Sequence, residues 1–518
     1  MKYAPFLLLA VYLWTGCTMP PPAAPAKPPN IILILADDMG YSDLGAMGSE
    51  IATPHLDRLA GDGLLFTQAY NAGRCCPTRA SLLTGQYQHA TGVGFMTGDL
   101  GNPHYQGYLN RQCATLAELL QPAGYATMMS GKWHLGDQPG QRPQQRGFDQ
   151  FFGVPEGGGV YFMPFRKNRT VVLGDTPIEV DTAHFYTTIA FNDYACRFIA
   201  EHTDTSEAPF FLYLPHIAPH FPLQVPDSSL ARYLGTYREG FAKLRARRFA
   251  RQQRLGLLPP HLQLSPPDEL VEDWEALSEE EQVCYDRKMA AYAAQITLMD
   301  QGIGRLVDLL EARGELDNTL ILFLSDNGGT SEQLQQPENC ESIGGRTSWT
   351  SLSPSWANVS NTPYRLYKRF VHQGGILTPL IAHFPAGQTQ AAQIGQPVHI
   401  IDIVPTCLSL AGAEYPDSLP PLPGRDLSPY FQGKAVAEPE FLAWEHMGNR
   451  ALRQGQYKLV ARYQQAWELY DMDLDPTELH DLAAERPEEV ARLATVYDRW
   501  AEAQGVVPWE SISPYERF

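Results

Sequence analysis

The sequence predicts an α/β fold: a large sheet flanked by helices, followed by a smaller C-terminal α+β region built on an antiparallel sheet. Three observations carry this expectation. Short continuous apolar runs recur between residues 30 and 384 without polar alternation, as in strands buried on both faces of a largely parallel sheet. Segments of helical periodicity lie between them. After about residue 420 the runs shorten and tight turns appear, which is the pattern of an antiparallel sheet.

The bulk composition bounds the possibilities. A chain of 518 residues is too long for one simple core and calls for a large domain plus a smaller one. Its formal charge of −19 disfavours nucleic-acid binding, which needs a basic face. It does not exclude a small anionic substrate, because a local pocket can be positive on an acidic protein.

In chain order, residues 1–17 come first, reading MKYAPFLLLAVYLWTGC. Lys2 precedes an apolar run from Phe6 to Trp14 that is too short to span a bilayer, so a signal peptide and export are expected. The small residue before Cys17 predicts lipoprotein processing, with lipid on Cys17 as a membrane tether in the periplasm or at the cell surface. Trp14, standing where such signals usually carry Leu, keeps ordinary cleavage open. Residues 18–29 are rich in Pro and Ala and read as a semi-rigid tether. The catalytic domain is placed at 30–420 and the α+β region at 421–518.

Asn30–Ala36 reads as a first buried strand ending at Asp37-Asp38, and Thr319–Ser325 repeats the form, ending at Asp326-Asn327. Phe210–Leu214 is a third strand and Pro379–Phe384 a weaker fourth. Helices are expected over Thr115–Gln121 and Met289–Arg313. Residues 225–285 read as an inserted helix and loop, with the basic cluster Lys243 to Arg254 as a solvated helix face. Phe441–Glu445, Arg450–Arg462 and Glu468–Asp471 read as strands, and Pro487–Gln504 as a helix. Cysteines stand at 17, 75, 76, 113, 196, 284, 340 and 407; they fit no zinc spacing, and disulfides in an exported chain remain open.

Five groups of residues carry chemistry. In Cys75-Cys76-Pro77-Thr78-Arg79, followed by Ala80-Ser81-Leu82-Leu83-Thr84-Gly85, Pro77 suits a first helical turn. Cys75 is then expected just before the helix, facing its free N–H groups, where anions bind. The strand ends Asp37, Asp38, Asp326 and Asn327 offer only hard oxygen donors, which suit calcium or magnesium rather than zinc. Lys132 and His134 lie two apart in Gly131–Gly136 and would share one side of an extended segment. His220 sits in a Pro-His-Phe-Pro turn, with His216 nearby as an alternative. Lys368 precedes Gly374-Gly375 by six residues, with Arg365 and Arg369 as neighbours that spacing does not exclude.

The eleven-residue string from Cys75 resembles the signature of the type I, formylglycine-dependent sulfatases, arylsulfatase branch. The contexts of Asp37-Asp38 and Asp326-Asn327 and the Gly-Lys-Trp-His-Leu-Gly block are similar to that family too. Departures are visible at Thr78, Gln86, Gln373 and Leu377. The resemblance implies an alkaline-phosphatase-like fold and a maturation enzyme that oxidises Cys75 to formylglycine. It implies calcium held by Asp37, Asp38, Asp326, Asn327 and the modified Cys75, and a sulfate-ester substrate contacted by Lys132, His220 and Lys368. It also implies that Arg79 stabilises charge, His134 takes a proton from the formylglycine hydroxyl, and His220 protonates the leaving group. The alternatives are a phosphoester or phosphonate hydrolase on the same fold, or an inactive protein that binds sulfated glycans.

Overall fold

The computed structural model describes residues 27–158, 161–163, 169–334 and 339–512. The expected signal peptide, Cys17 and most of the tether lie outside them. No helix among the described residues is long and apolar enough to cross a membrane.

The strands are β1 (Asn30–Asp37), β2 (Leu64–Tyr70), β3 (Ala126–Lys132), β4 (Gln150–Val154), β5 (Val172–Leu173), β6 (Thr176–Pro177), β7 (Phe210–Pro219), β8 (Thr319–Ser325), β9 (Leu377–His383), β10 (Ala392–Ile394), β11 (Val398–His399), β12 (Leu442–His446), β13 (Asn449–Gln454), β14 (Tyr457–Ala461) and β15 (Glu468–Asp471). The large sheet runs β10-β2-β9-β8-β1-β7-β3-β4-β5-β6, with β11 on β2, and the small one runs β12-β13-β14-β15. β8, β1, β7 and β3 are consecutive parallel neighbours, so their carboxyl ends open on one edge. β9, expected as a weaker strand, runs antiparallel to both β2 and β8. The sheet is therefore mixed.

The pleat explains the unbroken apolar runs. In β1, Ile32 and Ile34 enter one core layer, while Ile31, Leu33 and Leu35 enter the other. β7 and β8 divide the same way: Leu212 and Phe323 face the first layer, Phe211 and Leu322 the second. The first layer is covered by helices Thr187–Thr203 and Glu279–Arg313, the second by Cys75–Thr84 and Ile403–Ala411. The helix expected from Met289 starts ten residues earlier, at Glu279, because Ser278 and Glu281 form a capping box. Cys284 is disulfide-bonded to Cys340, which ties this helix to the loop after β8.

One expectation holds only in part. The basic cluster lies on helix Phe241–Arg254, and Lys243, Arg247 and Arg254 are exposed, but Arg245 and Arg248 are buried. Arg248 lies 2.6 Å from Asp43 Oδ1 and 2.8 Å from Glu50 Oε1. Arg245 donates to the carbonyls of Asn358, Pro363 and Tyr364. Arg251 is exposed with the other three, so two of the six basic residues, Arg245 and Arg248, form an internal clamp. A buried guanidinium is tolerated only where its donors are filled.

Candidate active site

The shared edge of β8, β1, β7 and β3 gathers the residues singled out above. Asp37 ends β1, and Asp38 follows in the left-handed region with φ 66°, which Asp tolerates better than most residues. Asp326 and Asn327 follow β8, Lys132 ends β3, and His220 follows β7. Ligand atoms of Asp37, Asp38, Cys75 and Asp326 all lie within 4.8 Å of one another. Asp37 Oδ1 and Asn327 Oδ1 are buried with no hydrogen-bond partner. Orphaned hard oxygens among carboxylates are what a divalent cation requires, so the donor set fits a hard divalent ion.

Cys75 is the first residue of helix Cys75–Thr84, whose N-cap is Arg74. It therefore sits one position further into the helix than expected. It is 1% exposed, and burial pushes its thiol well above the ordinary value. An unmodified Cys75 would be a neutral thiol and a poor nucleophile. Thr78, one of the departures from the family string, accounts for itself: its Oγ1 donates to the Asp326 carbonyl at 2.6 Å and accepts from the Ala72 amide at 3.0 Å. Gln86, a second departure, donates to the carbonyls of Pro420 and Pro421.

Arg79 lies within the same cluster. Its guanidinium is wholly buried and donates to Asp326 Oδ2 (2.8 and 3.2 Å) and to the Lys132 carbonyl (3.0 Å). These bonds orient the Asp326 carboxylate and the end of β3. Two lysines supply the other cations. Lys132 Nζ lies 2.6 Å from Asp37 Oδ2, and Lys368 Nζ lies 2.7 Å from Asp38 Oδ1. Burial penalises the Asp37 carboxylate, but Lys132, His220, Arg79 and Lys368 together hold it well below the usual range. Burial and the neighbouring Asp37 charge push Asp326 the other way. Three carboxylates thus face three buried cations.

The histidines separate clearly. His220 Nε2 lies 3.6 Å from Asp38 Oδ2, and its Nδ1 is 2.5 Å from the Phe221 carbonyl. Burial lowers its pKa, and Asp38 and Asp37 oppose that fall. His216 is wholly buried without a polar partner, outside the cluster. Among the three basic candidates near Gly374, Lys368 enters the site, whereas Arg365 turns to Tyr470 and the Glu478 carbonyl. Lys132 and His134 do converge, but not through a pleat: β3 ends at Lys132, and His134 takes a left-handed φ of 63°. Burial, Lys132 and Arg79 push His134 well below its ordinary pKa, which favours the neutral imidazole.

Several supporting residues escaped the sequence reading. Gly157 and Gly158 cover the site; a Cβ on Gly157 would meet His134 at 2.7 Å, and one on Gly158 would meet Lys132 Nζ at 3.3 Å. The Gly157-Gly158-Gly159 run after β4 was the available signal. Asp43, held by Arg248, accepts from the Gly40 amide at 2.9 Å and contacts the Tyr292 hydroxyl at 2.8 Å; that hydroxyl is also 3.1 Å from the Asp38 carbonyl. Nothing local in sequence marks this support. Gln373, the third departure, bonds Lys458 Nζ and Tyr70 Oη, and Leu377, the fourth, is buried in the core and brings no charge to the site.

Fold and site together define a hydrolase of tetrahedral oxyanion esters, with a hard-cation cluster at a strand-end edge. The sulfatase family model matches residues 29–413, and that for the C-terminal region of N-sulphoglucosamine sulphohydrolase matches 364–498. An uncharacterised sulfatase of Schizosaccharomyces pombe is 36% identical, covering 93% of this chain and 95% of that protein. An arylsulfatase of Klebsiella aerogenes is 36% identical over 77% of this chain and 89% of its own length. The crystal structure of Ps i-CgsB in complex with k-i-k-neocarrahexaose superposes with a TM-score of 0.71 at 27% identity, covering 95% and 98% of the two chains. The chain belongs to the sulfatase family and is a sulfuric ester hydrolase. A phosphonate monoester hydrolase of Agrobacterium radiobacter shares the fold alone, at 20% identity over 92% of this chain and 96% of its own, with a TM-score of 0.57.

Proposed function

We propose that the chain removes sulfate from sulfated carbohydrate, using formylglycine made from Cys75 by a maturation enzyme and calcium held by Asp37, Asp38, Asp326 and Asn327. The observation that carries this is the placement of Cys75 at a helix start, within 4.8 Å of three carboxylates and with Lys132 and Lys368 at the same cluster. The hydrated aldehyde supplies an oxygen nucleophile, and its second hydroxyl supplies an internal exit route that a plain thiol or hydroxyl lacks. The ion supplies Lewis acidity toward the sulfate oxygens. Lys132 and Lys368 stabilise the charge that develops on those oxygens. His220 gives a proton to the leaving oxygen, and neutral His134 accepts one from the modified side chain. Asp326, oriented by Arg79, holds the nucleophilic hydroxyl.

Carbohydrate as the substrate class is supported by the neocarrahexaose held by the 27%-identical Ps i-CgsB structure. Export, with lipid on Cys17, is supported by the N-terminal sequence and by the Cys284–Cys340 disulfide, a bond of oxidising compartments. Division near residue 420 is supported by the separate four-stranded sheet that follows it. Parallel assays with aryl sulfate and aryl phosphate, together with peptide mass spectrometry of residue 75, test the proposal. Faster turnover of the phosphate, or an unmodified thiol in active enzyme, would overturn it.

A further inference from the structure

A cavity of about 840 Å³ opens beside the site, between the residue before Cys75 and the residue after Lys368. Both parts of the chain build it. Arg74 is the helix N-cap, Arg369 follows Lys368, Arg462 follows β14, and Trp509 comes from the C-terminal end. The volume far exceeds what one sulfate group needs and lies in the range of sites for larger ligands.

Its chemistry is unusual for this protein. On a chain of formal charge −19, three arginines face two carboxylates, Glu269 and Glu332. Arg74 is committed to Glu332 at 2.9 Å, whereas Arg462 has no ion-pair partner among the described residues. One wall is aromatic: the rings of Phe95 and Trp509 lie 5.0 Å apart, and Phe95 stacks on buried His446 from behind. A backed aromatic wall suits the apolar face of a sugar, and a guanidinium fork suits a carboxylate or sulfate.

We propose that this cavity is a subsite for the sugar adjoining the one that bears the scissile sulfate, and that it selects a second anionic group there through Arg462. The proposal rests on reading the protein as a carbohydrate sulfatase. It predicts that oligosaccharides with anionic groups on neighbouring residues are preferred over those with one.

The test is calorimetric binding to the Cys75→Ala protein, which cannot turn substrate over. Two oligosaccharides of one backbone are compared, with one sulfate or with sulfates on two adjacent residues. The doubly sulfated probe should bind about tenfold more tightly, the worth of one charge-assisted contact. Arg462→Ala should remove that preference, and Arg462→Lys should keep part of it, with thermal melting to show that each variant is folded. Equal affinities, a preference that survives Arg462→Ala, or no binding of either probe would each overturn the subsite. Turnover of p-nitrophenyl sulfate by matured enzyme tests the sulfatase reading separately, because its failure leaves the binding comparison intact.

Discussion

Arg248 Nη1 lies 2.6 Å from Asp43 Oδ1, with both side chains buried behind the loop that carries Asp38. Arg248→Met would leave Asp43 without its cation while Gly40 and Tyr292 still depend on it. Removing one partner of a buried pair costs about 3–5 kcal/mol. Urea denaturation should show a loss of that order, and Arg248→Met/Asp43→Asn should recover part of it. A loss below about 1 kcal/mol would mean that the pair does not support the loop.

Cys75→Ala should lower sulfate-ester turnover by more than about 1000-fold, because the nucleophile is gone while the cation cluster remains. Initial rates with an aryl sulfate measure it. Activity within tenfold of the parent would remove residue 75 from the reaction.

Lys368→Met should reduce kcat/KM by about 100- to 1000-fold, the usual effect of losing one preorganised charge donor. Circular dichroism must show that the variant folds, since Asp38 loses its partner at 2.7 Å. A change only in KM would assign Lys368 to ground-state binding.

Chelation should abolish activity and lower the melting temperature together, with calcium restoring both. Ligand at a hundredfold excess over Kd adds about 2.7 kcal/mol to stability. Elemental analysis showing stoichiometric zinc would refute a hard-cation site.

A pH effect is expected away from the site. Burial opposes the charge on Glu468, yet the hydrogen bonds from His372 and Tyr470 and the nearby His372 and Arg365 charges together outweigh it and hold the carboxyl at about 2. Because the folded value lies below the unfolded one of about 4.5, this stability is full above pH 4.5 and is lost as pH falls toward 2. The loss is roughly 2 kcal/mol after discounting for solvent. Denaturation midpoints at pH 6 and pH 3 should differ less in Glu468→Gln than in the parent.

What sequence makes legible here follows from locality. The apolar run of β1 shows its burial because every residue reports the same environment, and the Cys75 string shows its chemistry because the residues that matter are consecutive. Arg248 is different: its partner Asp43 is 205 positions away, and a run of arginines looks the same whether or not two of its members are buried. His134 misleads for a related reason. Two-residue spacing implies a shared side only while the chain stays extended, and the backbone turns left-handed there. The contact of Arg79 with Asp326 needed the fold as well, since the two lie 247 positions apart.

Cys75 is 1% exposed, enclosed by strand ends drawn from positions 37 to 326 and covered by the core of the second layer. That enclosure sets an order of events in the life of the chain. A catalyst large enough to grip Pro77 and Arg79 finds them unreachable once the sheet has closed, as both are wholly buried. On the proposal that Cys75 is oxidised by a maturation enzyme, that oxidation has to win a race against folding, and a molecule that folds first keeps a buried, inert thiol.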